Sequence, residues 1–515
     1  MPVLAGNVVA SSQPLAAQAG LRALQRGGNA VDAALASAIT LTVVEPTMNG
    51  IGSDAFALIW DGSHLHGLNA SGRAPRGWTP ERFTGRDTMP VTGWDTVTVP
   101  GAVSAWAALS ERFGRLPFAE LFGAAVEYAE RGFLVSPIVA RQWQNQGPKL
   151  KDQPGFAAAF LPGGEPPATG QLFRFPAQAQ TLRAIAESRG EAFYRGPVAE
   201  TIATASLAQG GAMTVQDLAE HQPDWVEPIS QSYRDLTLNE IPPNGQGIAA
   251  LMALGILSHF PLGELAVDSA DSLHLQIEAM KLAFVDSYRY VADPRAMDVS
   301  PGRLLDPQYL RARAALIDRK RAQDFGHGTP PESGTIYLTA ADSAGMMVSY
   351  IQSNYMGFGS GVVVPGTGIS LQNRGAGFRL EPGHPNCVAP AKRPFHTIIP
   401  GFVTQDGRPV MSFGVMGADM QPQGHVQIMV RLADYGQNPQ AAADAPRLKV
   451  LAGLNIVLEH AASPAVAAEL ARRGHAVRHA ERGSWEFGAG QFIHRLDGGY
   501  LAASDPRRDG QAVGY

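Results

Sequence analysis

The chain has 515 residues, 41 basic and 46 acidic side chains, a net charge of −5 and a single cysteine, Cys387. With 45% hydrophobic and 17% charged residues it is neither disordered nor basic enough for a nucleic-acid or anionic-membrane footprint. One cysteine excludes an internal disulfide and a cysteine-based metal site. The first twenty residues lack a secretory pattern, and the most apolar run, residues 34–44, is too short to span a bilayer, so a cytoplasmic protein without a membrane partner is expected. In chain order, helical spacing covers residues 12–26, and "GGNAVDAALASAITLTVVEP" reads as a turn and a buried small-residue helix stopped before Pro46. Further helices are expected over residues 102–113, 118–131, 178–189, 198–209 and 247–257. A long amphipathic helix follows over 271–291, and a charged surface helix over 311–321.

After Gly334 the pattern turns to strands and Gly-rich turns: "GTIYLTAAD", "MMVSYIQS", "FGSGVVVPGTGISLQN", "RPFHTIIPGFV" and "RPVMSFGVMG". Residues 335–352 read as a hairpin reversing at Asp342-Ser343-Ala344-Gly345. Such strands are able to share a sheet with earlier ones such as "AFALIWD". Helices are then expected at 421–435, 439–445 and 463–473, the last with Ser463 as N-cap and Pro464 at its first position, before two final strands. The entrance to the hairpin is unusual. A Gly/Pro/Ser-rich loop, "DFGHGTPPESG", ends abruptly at Thr335.

A threonine hydroxyl is a poor nucleophile at neutral pH, but cutting the bond before it frees an α-amine able to act as its base. That amine has an unperturbed pKa near ~8. The chemistry needs a small residue in a flexible loop before the threonine, a rigid strand after it and backbone donors for the oxyanion. Gly334, Thr335 and the turn in "SFGVMGAD" match that list, although a threonine entering a strand after glycine is ordinarily structural.

The wider pattern resembles the γ-glutamyltranspeptidase family of N-terminal-nucleophile hydrolases nearly end to end. "GGNAVDAA" with "VVEPTMNGIGSDAF", "VPGAVSAW", "GGAMTVQDLAEH", "HLQIEAMKLAFVDSYRYVADP", "KRPFHTIIP", "DAPRL" and "SDPRRDG" follow in the family's order. The resemblance implies an α/β fold, a four-layer αββα sandwich. It also implies a precursor cleaved at Gly334–Thr335 into a large subunit, 1–334, and a small one, 335–515, which together form one domain and in which such two-chain units can pair. It places the nucleophile on Thr335, a second hydroxyl on Ser353, and the oxyanion donors on the amides of Gly417 and Ala418.

The γ-glutamyl recognition set departs from the family. Ser71 stands where the family has its carboxylate-binding arginine, with Arg73 two residues on. Tyr355 and Gly377 replace the Asn and the acidic residue that meet the α-amine, and His396-Thr397 replaces a serine pair. The lid loop before "KRP" is shortened to "HPNCVAPAKRPF". An ammonium in a buried pocket needs a counter-ion, and Arg374 nearby repels it and attracts a carboxylate instead. The pocket is therefore similar to the oxamate amidohydrolase branch, with Arg374, His396, Thr397 and Tyr355 around a small anionic amide. The competing assignments are a γ-glutamyl hydrolase or transpeptidase that uses Arg73, a glutaryl-type acylase, and an uncleaved non-enzymatic binding protein. No cofactor is implied. His274 and Glu278 share a helix face but lack a HExxH order and a third ligand in sight, so the expectation is structural, with no metal. Asp293-Pro294 and Asp444-Ala445-Pro446 read as stops, and Gly50-Ile51-Gly52 as a tight crossing near the active strand.

Overall fold

The strand that begins at the Gly-Thr junction, Gly334–Ala341, lies inside a seven-stranded sheet, between Val8–Ser11 and Met347–Tyr355. The computed structural model describes residues 1–326 and 334–515, so most of the expected cleavage loop, 327–333, falls outside the described residues. From edge to edge the sheet runs Gln511–Gly514, Val8–Ser11, Gly334–Ala341, Met347–Tyr355, Asp54–Trp60, Leu65–Asn69 and Asp224–Val226, every neighbour antiparallel. A second antiparallel sheet of seven runs Val3–Ala5, Gly499–Ser504, Ala489–Leu496, Arg408–Met416, Gly401–Gln405, Leu236–Glu240 and Ile229–Tyr233.

Strand alternation decides the layers. Ile336, Leu338 and Ala340 point outward into a core shared with helices Pro14–Gln25 and Ala30–Val44. Tyr337 and Ala341 point inward, against Phe402, Met416 and Ile493 of the second sheet. Thr339 Oγ1 meets Ser412 Oγ at 2.6 Å across the same interface. Sheet two is covered on its far side by helices Gly247–Leu257, Ala270–Tyr290 and Met420–Ala433. The result is the αββα sandwich, with strands from before residue 327 and after 333 interleaved in both sheets.

The "GGNAVDAA" stretch earns its place at a helix start. The Asn29 side chain accepts from the Val31 and Asp32 amides, while Asp32 accepts from the Asn29 amide, closing a capping box. Asp342, in the hairpin turn, accepts from the Ala30 amide at 2.9 Å and so pins that helix to the Thr335 hairpin. Gly52 crosses Ser370 so closely that a Cβ there would lie 2.3 Å from the Ser370 carbonyl oxygen, which is the expected tight crossing.

Several elements differ from the sequence reading. The helix expected over 311–321 is Pro307–Ala314, because Asp306 caps it by accepting from the Gln308 and Tyr309 amides. It tightens and stops where the Leu316 and Ile317 amides bond only three residues back. Four strands follow the last helix, not two: Ala476–His479 joins Asn455–Leu458 in a small sheet, and Gln511–Gly514 pairs with Val8–Ser11 and returns the C-terminus to the nucleophile's sheet. Strands Val3–Ala5, Val8–Ser11, Asp224–Val226, Ile229–Tyr233 and Leu236–Glu240 occupy the part of the chain read as mainly helical.

Candidate active site

Thr335 is 1% exposed at the head of its strand, with its Oγ1 3.1 Å from Ser353 Oγ on the neighbouring strand. The register slips between Gly334 and Ile336, which pair with Tyr355 and Gln352 respectively, so Thr335 sits at a local irregularity. Ser353 Oγ also accepts from the Tyr355 amide at 2.8 Å, and on its other side Ser353 pairs in register with Asp54. Cross-strand partners share a face, so this pairing brings a buried carboxylate beside the two hydroxyls.

Tyr355 has a left-handed φ of 79°, a strained conformation for a bulky residue. Its ring lies under the Arg374 guanidinium, 4.5 Å from centroid to Cζ. Arg374 is 1% exposed and donates through Nη1 to Thr397 Oγ1 at 2.7 Å. Its Nε and Nη2 are buried without an acceptor among the described residues. Burial draws its pKa down to about 10, opposed by Asp54, so it remains a cation at neutral pH. Burial pushes the Asp54 carboxyl up to about 7, against the pull of Arg374 and the amides of Gly72 and Gly101.

His396 Nε2 lies 3.1 Å from Asp54 Oδ2. Burial, with Arg374 and Arg393 acting in the same sense, holds the imidazole well below its usual pKa, so the ring is neutral. A neutral ring donates through Nε2 to Asp54 and accepts the Ile398 amide at Nδ1, so both nitrogens are committed. The contact is a hydrogen bond rather than an ion pair.

Gly417 and Ala418 turn the chain from strand Arg408–Met416 into helix Met420–Ala433, with φ of 122° and 55°. Their carbonyls accept from the Met420 and Gln421 amides, and Gln246 Nε2 also donates to the Ala418 carbonyl at 2.8 Å. Among the described residues neither N–H has an acceptor, which leaves two amides at a helix N-terminus available to an oxyanion. Gly417 and Thr335 line one cavity of about 80 Å³, with Met48 and Gln146. Tyr355 lines a larger cavity of about 560 Å³ with Tyr288, Gly377, Arg379 and Phe395.

Of the residues singled out in the sequence, Thr335, Ser353, Tyr355, Arg374 and Thr397 form one connected set, joined through Asp54 to His396. Arg73 is turned elsewhere: it pairs with Asp293 at 3.0 Å and Asp224 at 3.8 Å. Asp54 escaped the sequence reading, although a carboxylate inside "SDAFALIW" is a signal in itself. Lys449 and Trp485, which also line the Thr335 cavity, carried no local signal, and Arg508 beside them lies in "SDPRRDG" without having been singled out.

The His274–Glu278 pair does gain a third neighbour that the sequence reading did not see. His475 Nε2 lies 2.8 Å from His274 Nδ1, and ligand-type atoms of the three residues fall within 4.8 Å of one another. Glu278 already holds the Lys281 ammonium at 2.7 Å, and Lys281 Nζ and His274 Nε2 donate to the Gln323 and Asp318 carbonyls, so the cluster ties down the segment ahead of residue 327.

Known proteins resemble the chain along nearly its whole length. The Gamma-glutamyltranspeptidase family model matches residues 16–515. The chain is 37% identical to the oxamate amidohydrolase proenzyme of Klebsiella pneumoniae subsp. pneumoniae, over 97% of each chain. It is 35% identical to the glutathione hydrolase-like YwrD proenzyme of Bacillus subtilis, over 99% of this chain and 98% of that one. The crystal structure of a cephalosporin acylase from Bacillus halodurans superposes with a TM-score of 0.96 at 48% identity, covering 100% of this chain and 97% of that one. The chain therefore belongs to the γ-glutamyltranspeptidase family and is an N-terminal-nucleophile amidohydrolase with that family's four-layer sandwich.

Proposed function

We propose that the protein is a precursor that cleaves itself at Gly334–Thr335 and then hydrolyses a small amide bearing a carboxylate, with oxamate as the first candidate. The observation that carries the reading is the Thr335–Ser353 hydroxyl pair at 3.1 Å, with Thr335 lining one cavity together with Gly417. In maturation the Thr335 hydroxyl attacks the Gly334 carbonyl carbon and the C–N bond breaks. Water then hydrolyses the resulting ester and leaves residues 1–334 and 335–515 as the two subunits. In turnover the freed α-amine takes the proton from Thr335 Oγ1 as it attacks the amide carbonyl. Ser353 orients the hydroxyl, and the Gly417 and Ala418 amides hold the oxyanion. The leaving nitrogen takes the proton, and water releases the acid from the acyl-enzyme.

Arg374 supplies the substrate selection. Two guanidinium donors without an acceptor among the described residues, Nε and Nη2, suit a planar carboxylate, and Gly377 offers no counter-ion for the ammonium of a γ-glutamyl group. Thr397 holds the guanidinium in place, and His396 orients Asp54 against it. The 560 Å³ cavity beyond Tyr355 favours a second reading, in which a longer, glutaryl-type acyl chain extends past that ring. A cytoplasmic site of action is part of the same reading; among the described residues no helix is long and apolar enough to cross a membrane.

Intact mass of freshly purified protein tests the first step. Dividing 54.6 kDa in proportion to length gives fragments of about 35 and 19 kDa, the smaller beginning Thr-Ile-Tyr and missing from Thr335→Ala. Ammonia release from oxamate, measured against γ-glutamyl transfer from a glutathione-type donor and release from a glutaryl amide, tests the second. An uncut chain, stable over days, refutes the mechanism; cleavage with turnover of the γ-glutamyl donor alone refutes the substrate.

A further inference from the structure

Asp54 and Arg374 are opposite charges buried in one pocket, and they do not bond to each other. Asp54 is 0% exposed and Arg374 1%. Other donors take the Asp54 oxygens: the Gly72 and Gly101 amides at 3.1 and 3.0 Å on Oδ1, and His396 Nε2 at 3.1 Å on Oδ2. The guanidinium bonds through Nη1 to Thr397 Oγ1, while Nε and Nη2 have no acceptor among the described residues. Backbone contacts fix the two side chains in this relation. The Gln372 amide donates to the Gly52 carbonyl, two residues before Asp54. The Asn373 amide donates to the Asn354 carbonyl, beside Ser353, which is the cross-strand partner of Asp54. His396 and Thr397, consecutive in the chain, then hold one charge each.

A substrate carboxylate that takes Nε and Nη2 brings a second negative charge to the same cation, where water does not screen it. Two carboxylates that share one cation repel, and the one able to take a proton takes it. Asp54 is that group. Burial has already brought its carboxyl up to about 7, so it exchanges a proton near neutral pH. The other titratable groups acting on it are committed elsewhere. The His396 ring is neutral, and Arg393 is occupied by Asp224 and the Ser71 carbonyl. Tyr194 donates its hydroxyl proton to the Pro100 carbonyl at 2.8 Å.

We propose that Asp54 is an exchangeable counter-ion: it balances Arg374 in the free protein and takes up a proton when a substrate carboxylate binds the guanidinium. The inference rests on the assignment of Arg374 to that carboxylate. One proton moves from solvent to an Asp54 oxygen, and no other covalent bond forms or breaks. Asp54 is a positioning residue, since it acts on the substrate through Arg374. The complex holds this proton more tightly than the free protein does, so affinity falls as pH rises through 7. The Thr335 α-amine needs the opposite change, losing its proton to serve as base.

The test is titration calorimetry of processed protein with oxalate, a carboxylate probe with no amide to cleave, in buffers of different ionisation heat. Uptake of about 0.9 proton per site is expected at pH 8 and about 0.1 at pH 6, with affinity falling about tenfold per pH unit above 7. Asp54→Asn keeps an oxygen for the Gly72 and Gly101 amides and is expected to bind oxalate with little uptake and a flat pH profile. Infrared difference spectra of the wild-type protein at pH 8 give a second reading that needs no variant. Oxalate is expected to raise a protonated-carboxyl C=O band, which protonation of the α-amine does not produce. Binding without proton uptake overturns the counter-ion and leaves the Arg374 assignment standing. Uptake that persists in Asp54→Asn, or that comes without the carboxyl band, gives the proton to the α-amine and also overturns it. Processed protein that binds no oxalate at any pH removes the Arg374 assignment and the counter-ion together.

Discussion

Arg374→Met separates substrate recognition from fold more cleanly than any other single change. The guanidinium is 1% exposed, so no solvent screening reduces its pull on a bound carboxylate. Nε and Nη2 offer two hydrogen bonds to that carboxylate, each worth about 1.5–3 kcal/mol when both partners are charged. Losing both costs about 4 kcal/mol, roughly a thousandfold in kcat/KM for oxamate. Stability moves in the other direction or not at all, because methionine of similar length removes a cation that burial has already drawn down to about 10. Asp54 then loses the largest influence opposing its desolvation, so its carboxyl, at about 7, rises further and stays protonated at neutral pH instead of lying buried and unpaired. Arg374→Lys recovers little, since an ammonium neither stacks flat on Tyr355 nor bonds in two prongs. Steady-state kinetics on processed protein, with thermal melting alongside, read both effects. A methionine variant that is processed normally and keeps its KM and kcat for oxamate within about threefold refutes the assignment of Arg374 to the substrate.

Ser353→Ala removes the partner of the Thr335 hydroxyl and is expected to lower kcat by about ten- to a hundredfold with little change in KM; an unchanged single-turnover rate counts against the pairing. Burial pushes the Glu45 carboxyl up to about 7, so it holds its proton more tightly folded than unfolded. The stability it gives is fully present below about pH 4 and is lost as pH rises through 7, on the order of 3 kcal/mol. Glu45→Gln, which still accepts from Ser12, is expected to flatten the fall in melting temperature between pH 5 and 8, and a wild-type slope in the variant contradicts the assignment. Gly101→Ala is expected to abolish soluble protein, since its Cβ would lie 1.5 Å from the Ala70 carbonyl oxygen and disturb an amide that serves Asp54; native-like expression removes that argument. Ala418→Gly relieves a left-handed φ of 55° and is expected to raise stability by up to about 1 kcal/mol, read as a small rise in melting temperature.

What was legible in the sequence followed from how local each signal is. Helices Ala102–Phe113 and Gly247–Leu257 appear with the bounds expected, since glycine and proline punctuate them within the chain itself. The Thr335 hairpin was legible for the same reason: its strands, its turn and Ser353 all lie between Gly334 and Tyr355. Val8–Ser11 was not, because four residues carry no usable period and the strand exists by pairing with Gly334–Ala341 and Gln511–Gly514, both more than three hundred residues later. The site divides along the same line. Asp54 reaches Ser353 by strand register, Arg374 reaches Tyr355 from a turn, and Lys449 and Arg508 reach the Thr335 cavity from separate parts of the C-terminal third. None of these approaches leaves a trace in spacing. A family resemblance points to the nucleophile, but the charges that select a substrate are set by which segments the two sheets bring together. Arg374 stacks on Tyr355, which lines the larger cavity, while Lys449 and Arg508 line the smaller one with Thr335, so the charges around the nucleophile come from three separate segments of the chain.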